Sequence, residues 1–159
     1  MTKKIKKNYL YHGLGFPIEL RKVEMIKLNG ELHPKINVRK IADLAINSLI
    51  SQKSRLTGNQ IKFIRSYFSM SLREFAGVVN ESHMAVKKWE NFKSDPTNMD
   101  RNIEIMLRLH IFDRIAIKSK NTKSNKLDFY THFKKLTEMF AHKMLSPKAN
   151  TAHLLIITK

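Results

Sequence analysis

The sequence predicts an α+β fold that is mostly α: a small N-terminal β-hairpin and helix unit, then a helix-turn-helix bundle, then a C-terminal helix. Apolar side chains alternate along residues 16–20, and a second apolar-rich run covers residues 23–28, as expected for strands. From residue 38 onward, apolar side chains recur every three or four positions, as on one face of a helix. The length of 159 residues, 42% of them hydrophobic, suits one ordinary domain or two small ones.

The charge of the chain indicates its partners. Lysine and arginine outnumber aspartate and glutamate by 30 to 13, which gives a formal net charge of +17. Most of this excess falls in residues 1–56 and 119–159. A field of this size attracts polyanions through counterion release. Nucleic acid is therefore the first expected partner and an anionic membrane surface the second.

Cysteine is absent, which excludes disulfides, thiolate metal sites and cysteine nucleophiles. No stretch approaches the roughly 20 apolar residues of a membrane span. The basic N-terminus is not followed by the apolar run of a secretory signal. We therefore expect a cytoplasmic protein that does not enter a membrane.

Residues 1–56 are predicted to form an N-terminal β/α unit for dimerisation or partner docking, with a basic arm. Four lysines fall within residues 3–7, and this run is either a solvated terminus or an arm that grips phosphate. The pair Asn29–Gly30 is a strong tight-turn signal. Asn37 is a predicted N-cap, followed by an amphipathic helix of about four turns.

Residues 57–118 are predicted to form the DNA-binding domain. The segments "TGNQ" from Thr57 and "SLRE" from Ser71 are capping boxes, in which the first and fourth residues bind each other's amides. Ser82 is the predicted cap of a third helix, whose apolar stripe ends at Trp89. A longer amphipathic helix follows this unit.

Residues 119–159 are predicted to form a basic linker, an amphipathic helix over 127–144 and an apolar tail. The tail segment "HLLIIT" has the composition of a strand and would promote aggregation if it were exposed. We expect it to be buried against this chain or against a second copy.

The middle of the chain carries a spaced pattern of residues: Arg65, Ser71, "EFA" at 74–76, Ser82, Val86, Trp89, Glu90, Asn91 and Pro96. This pattern resembles the helix-turn-helix of the phage repressor and Cro class, also called XRE-like. The resemblance implies a structural ion pair between Arg65 and Glu90, which ties the first helix to the third. Three positions depart from the family. Leu72 replaces a glutamine, and Phe92 and Asn80 replace glycines, although asparagine tolerates the left-handed conformation.

Residues 9–115 are also similar in arrangement to MqsA-type antitoxin regulators, in which a small β-rich unit precedes the helix-turn-helix. That group often binds zinc through paired cysteines in the N-terminal unit. Because this chain has no cysteine, the resemblance implies no zinc site here, and we expect neither a metal nor another cofactor.

The resemblance implies that the third helix enters the major groove of double-stranded DNA. The residues expected to contact bases are His83, Met84, Lys87 and Lys88. The residues expected to contact phosphate are Lys62, Ser71, Asn91 and Lys93. A simpler interpretation of His83 and Met84 is that they merely face solvent.

These features favour a sequence-specific transcriptional regulator of bacterial, phage or mobile-element origin. We expect a homodimer that represses from a palindromic operator, and a version that also neutralises a cognate toxin stays open. The alternative is a nonspecific architectural nucleic-acid-binding protein. An enzyme is disfavoured, because the acidic residues are scattered and no catalytic motif is present.

Overall fold

The computed structural model describes residues 6–118, 125–141 and 155–158, and the side chains of residues 7–117 and 128–141. Within these ranges the elements are β1 (Lys6–Tyr11), β2 (Ile18–Leu28), β3 (Glu31–Pro34), α1 (Val38–Ser51), α2 (Gly58–Tyr67), α3 (Leu72–Val78), α4 (His83–Glu90), α5 (Arg101–Lys118), α6 (Asn125–Ala141) and β4 (Leu155–Thr158). The predicted fold class, α+β and mostly α, is confirmed. None of the described helices is both long and apolar enough to cross a membrane.

Strand β2 is the centre of the sheet. It pairs antiparallel with β1 along residues 18–24 and antiparallel with β3 along residues 25–28. Its residues 18–21 also pair with β4, in parallel. Because the same part of β2 has both β1 and β4 as partners, these two strands lie on opposite edges. Residues 155–158 of the predicted apolar tail therefore join the sheet of their own chain.

The two apolar runs expected from the sequence form one continuous strand, interrupted by a bulge. Lys22 has a φ of 57°, and its N–H donates to the Asn8 side-chain oxygen at 3.4 Å. The register shifts there, so that Leu20 opposes Tyr9 while Val23 opposes Lys7. The extra residue restores the inward phase, because Leu20 and Val23 are both buried although three positions separate them.

One hydrophobic cluster joins the sheet to helices α1–α5. Its buried members include Ile18, Ile46, Ile61, Val86 and Ile111. The cluster extends across the predicted boundary between residues 56 and 57, so segments 1–56 and 57–118 share a core. Part of the predicted basic arm, residues 119–124 of the predicted linker, and residues 142–154 lie outside the described residues.

Two ionised side chains are completely buried where α5 meets the segment between α1 and α2. Glu104 and Arg108 have 0% side-chain exposure, and their Oε1 and Nη2 atoms lie 2.7 Å apart. The second Glu104 oxygen accepts from Arg55 Nε at 2.6 Å, and Oε1 also accepts from the Leu56 N–H at 3.1 Å. This ion-pair cluster ties α5 to the connection that leads into α2.

Arg108 also binds main-chain carbonyls at the end of α1. Its guanidinium donates to the carbonyl oxygens of Ile50 at 3.3 Å, Gln52 at 2.8 Å and Ser54 at 2.8 Å. Carbonyls at a helix C-terminus lack partners within the helix, so a buried end requires such donors. The Phe140 ring of α6 covers the guanidinium, with its centroid 5.8 Å from Arg108 Cζ.

Helix α6 packs on α5 through a second, smaller apolar cluster, formed by Ile105, Leu109, Leu136, Met139 and Phe140. Beside it, the rings of His132 and Phe112 stack with centroids 4.8 Å apart and an interplanar angle of 9°. The Nε2 atoms of His132 and His110 are buried without a hydrogen-bond partner among the described residues. Burial lowers the pKa of both imidazoles. The charges of Lys135 and Arg108 lower the pKa of His132 further. For His110, Arg114 lowers the pKa and Asp113 raises it by a smaller amount.

Acidification is therefore expected to loosen α6 from α5. A histidine with a depressed folded-state pKa stabilises the fold fully above its unfolded value of about 6.5, and this contribution is lost as the pH falls through that value. We expect hydrogen-exchange protection factors in α6 to drop between about pH 7.5 and about pH 5.5. The His132→Phe variant keeps the stacked ring without the titration and should show a smaller drop. Equal protection of wild-type α6 at both pH values would contradict the prediction.

Candidate nucleic-acid interface

Helices α3 and α4 form a compact helix-turn-helix unit with a sharp turn. Asn80 has a φ of 53°, the left-handed conformation expected from the sequence. The N–H of Glu81 donates to the Ala76 carbonyl at 2.9 Å, and that of Asn80 donates to the Gly77 carbonyl at 3.4 Å. These bonds make a Schellman motif, which ends α3 and redirects the chain into α4.

All the predicted caps are present. Thr57 with Gln60 and Ser71 with Glu74 form reciprocal capping boxes at α2 and α3. The Ser82 side chain accepts from the N–H of the third helical residue of α4 at 3.1 Å. The start of each of these helices is thus set by local hydrogen bonds.

Helix α4 has two distinct faces. Val86 and Trp89 are buried, with exposures of 0% and 5%. The opposite face is exposed and carries His83, Met84, Lys87 and Lys88. At about 100° per residue, these four side chains span an arc of about 140°. The side chains predicted to contact bases therefore form one continuous exposed surface.

An ion pair sets the orientation of α4 relative to α2. Arg65 Nε donates to Glu90 Oε1 at 2.6 Å, and Nη2 donates to Oε2 at 3.1 Å. A third guanidinium bond reaches the Met70 carbonyl at 3.1 Å. The hydrogen bond with Glu90 raises the pKa of Arg65, while burial acts in the opposite direction. Arg65 and Glu90 thus pair as the resemblance implied, in the two-pronged geometry that fixes orientation.

The end of α4 also touches the start of α2 directly. A Cβ atom on Gly58 would lie 2.5 Å from the Lys93 nitrogen, 2.6 Å from the Trp89 carbonyl oxygen and 2.8 Å from that of Glu90. No larger residue fits there without a backbone shift. The Asn59 N–H donates to the Lys93 carbonyl at 2.7 Å, so the loop after α4 is bonded to the first turn of α2.

The four predicted phosphate contacts differ in availability. Lys62 and Lys93 are exposed. The Ser71 N–H already donates to Glu74 Oε2 at 2.7 Å, and its hydroxyl accepts from the Glu74 N–H at 3.2 Å. Hydrogen bonds with Ser71 lower the pKa of Glu74, so a carboxylate occupies this helix end and would repel phosphate. The Ser71 amide is therefore engaged by Glu74, and a phosphate contact by Ser71 stays a prediction.

The helix end at Asn91 differs from the expected one, and a phosphate contact by Asn91 stays a prediction. Asn91 was expected to present a main-chain amide at a helix terminus, but it is the C-cap of α4 and its N–H donates to the Lys87 carbonyl at 3.1 Å. The C-terminus of a helix carries a partial negative charge. Because the N–H of Asn91 is already bonded, only its exposed side chain could contact phosphate. Sequence reasoning also overlooked Arg73, an exposed cation two residues after Ser71.

Within the described residues, no group of three or more histidine, aspartate or glutamate side chains is placed to hold a metal ion. Comparisons of the chain with protein-family models, with curated proteins and with solved structures gave no match.

Proposed function

We propose that this protein is a sequence-specific DNA-binding regulator that reads the major groove with α4. The observation that carries the proposal is the exposed surface of His83, Met84, Lys87 and Lys88 on a helix whose other face is buried. Lysine can donate to guanine O6 and N7, and methionine can contact a thymine methyl group. The Arg65–Glu90 ion pair and the close approach of Gly58 to the end of α4 fix the orientation of this surface relative to α2, as base recognition requires.

A homodimer is part of the proposal. One recognition helix covers few base pairs, and proteins of this type gain affinity by binding two half-sites about one helical turn apart. Phe129, Tyr130 and Phe133 on α6 are exposed by 39%, 64% and 40%, and they form the apolar surface that we propose for dimerisation. A repressor of its own gene, with or without a toxin partner, is the regulator that we favour. A toxin gene beside its own would support the antitoxin form.

The test is a mobility shift with the DNA upstream of the gene, with random-sequence competitor and about 150 mM salt. We expect a discrete shift that survives competitor. Because each good base contact contributes about 1–3 kcal/mol, His83→Ala/Lys88→Ala should weaken this binding by at least about tenfold.

A matched control is the variant Lys27→Ala/His33→Ala. It removes the same two residue types, both exposed, from the β2–β3 hairpin. The control should bind the operator like the wild type. If both variants weaken binding equally, general charge accounts for the affinity and base reading by α4 is rejected.

The second candidate is a nonspecific nucleic-acid-binding protein, which the net charge of +17 favours. The α4 lysines also have a structural role available, because Lys87 and Lys88 lie in the last turn, where cations complement the helix dipole. If the protein binds nucleic acid nonspecifically, Lys87→Ala/Lys88→Ala would weaken binding to all sequences alike. A selective loss of operator binding would reject this candidate.

A further inference from the structure

A groove lies between β2 and the first half of α1, in the sheet unit and not on α4. It is a shallow groove with a volume of about 30 Å³, and it opens to solvent. Its apolar walls are formed by Leu20, Val23, Ile36, Ile41 and Leu44. This volume is far below the roughly 300–1,000 Å³ of small-molecule sites, so the groove suits the end of a single apolar side chain and not a small-molecule ligand.

The rim of the groove is cationic. Arg21 and Lys40 line it together with Asn37, the N-cap of α1. Glu19 accepts from Arg21 Nε at 3.2 Å, so this carboxylate and guanidinium form an ion pair. Lys40 has no ion-pair partner among the described residues. An occupant would therefore meet an apolar wall with positive charge at its edge.

The charges in the first turn of α1 destabilise the helix. It contains Arg39 and Lys40 and no acidic residue, although the N-terminus of a helix favours negative charge. An anionic occupant would resolve this conflict by supplying the missing carboxylate.

We propose that this groove binds an acidic segment of another protein, which inserts one bulky apolar side chain flanked by aspartate or glutamate. Buried apolar anchors supply most of the energy of such contacts, and complementary charge adds specificity. The groove is a different surface from the α6 face proposed for the homodimer. The occupant that we propose is acidic, whereas the 30 basic residues of a second copy outnumber its 13 acidic ones. Duplex DNA is a poor occupant too, since its phosphates could meet the rim but would leave the apolar walls without an apolar partner. The inference is independent of DNA binding by α4.

The experiment is selection of displayed random 12-residue peptides on the full-length protein, with excess DNA present to occupy other cationic surfaces. We expect the selected peptides to share a large apolar residue flanked by acidic ones. Replacing that apolar residue with alanine should abolish binding. The Lys40→Glu variant should weaken binding by at least about tenfold.

The variant Lys53→Glu is the matched control, because it makes the same charge change at an exposed lysine beyond the other end of α1. It should bind the peptides like the wild type. Lys40→Glu should keep or raise the Tm, since glutamate at the third helical position can complete a capping box with Asn37. It should also leave operator binding unchanged. Peptides that bind Lys40→Glu as well as the wild type, or no enrichment above the background, would overturn the proposal.

Discussion

Replacing Glu104 with alanine is expected to lower the free energy of unfolding by about 4 kcal/mol, the middle of the range of about 3–5 kcal/mol for removing one partner of a buried ion pair. The variant would leave Arg108 buried and charged without a counterion, and the Leu56 N–H without its acceptor. Arg108 cannot withdraw, because it also binds three carbonyls at the end of α1. We expect the connection between α1 and α2 to be the first part to loosen.

Chemical denaturation monitored by Trp89 fluorescence would measure this loss. Glu138→Ala is the control, since it removes an exposed glutamate from α6 and should change the stability by no more than about 0.5 kcal/mol. Glu104→Gln keeps the shape and an acceptor, and it should fall between the two. A loss below about 1 kcal/mol in Glu104→Ala would show that the cluster is not held as the structure has it.

The second large effect is that replacing two helical glycines with alanine is expected to change the stability in opposite directions. Gly58→Ala places a Cβ within 2.5–2.8 Å of three main-chain atoms at the end of α4. Overpacking of this kind costs about 1–3 kcal/mol. Gly77, in α3, has nothing within 4 Å of an added Cβ, so Gly77→Ala should stabilise the protein by up to about 1 kcal/mol.

Both variants are measured by thermal and chemical unfolding, with operator binding as a second readout. Because relief of the clash must move α4 or its following loop, Gly58→Ala should also weaken operator binding at temperatures where it is folded. Gly77→Ala should retain affinity. If Gly58→Ala is as stable as the wild type or more stable, the close approach of α2 and α4 is refuted.

Much of the α2–α4 unit could be predicted because its signals are local. A capping box uses a side chain and an amide three residues apart, so Thr57 and Ser71 indicate helix starts without knowledge of the rest of the fold. The burial of Trp89 and the exposure of Lys88 follow from helical spacing alone. The pairing of Arg65 with Glu90 is not local, and it was anticipated from the family resemblance.

The details that differ from expectation depend on neighbouring groups and on the direction of each element, which a spacing pattern does not contain. Ser71 was expected to offer a main-chain amide to phosphate, but its N–H donates to Glu74, and its hydroxyl oxygen accepts from the Glu74 N–H. Asn91 lies at the carbonyl end of its helix. The bulge at Lys22 shifts the strand phase by one residue, which an alternation pattern registers as two separate strands.

The composition of the chain and the local spacing of its residues therefore determined the helices, their caps, the exposed surface of α4 and the sign of the electrostatic field. Tertiary packing decided the rest. It buried Glu104 with Arg108, placed the main chain of α4 against Gly58, seated the C-terminal strand beside β2 and opened the groove next to α1. Periodicity shows which side of an element is buried, but these contacts join residues up to 137 positions apart, and periodicity carries no information about which element lies opposite.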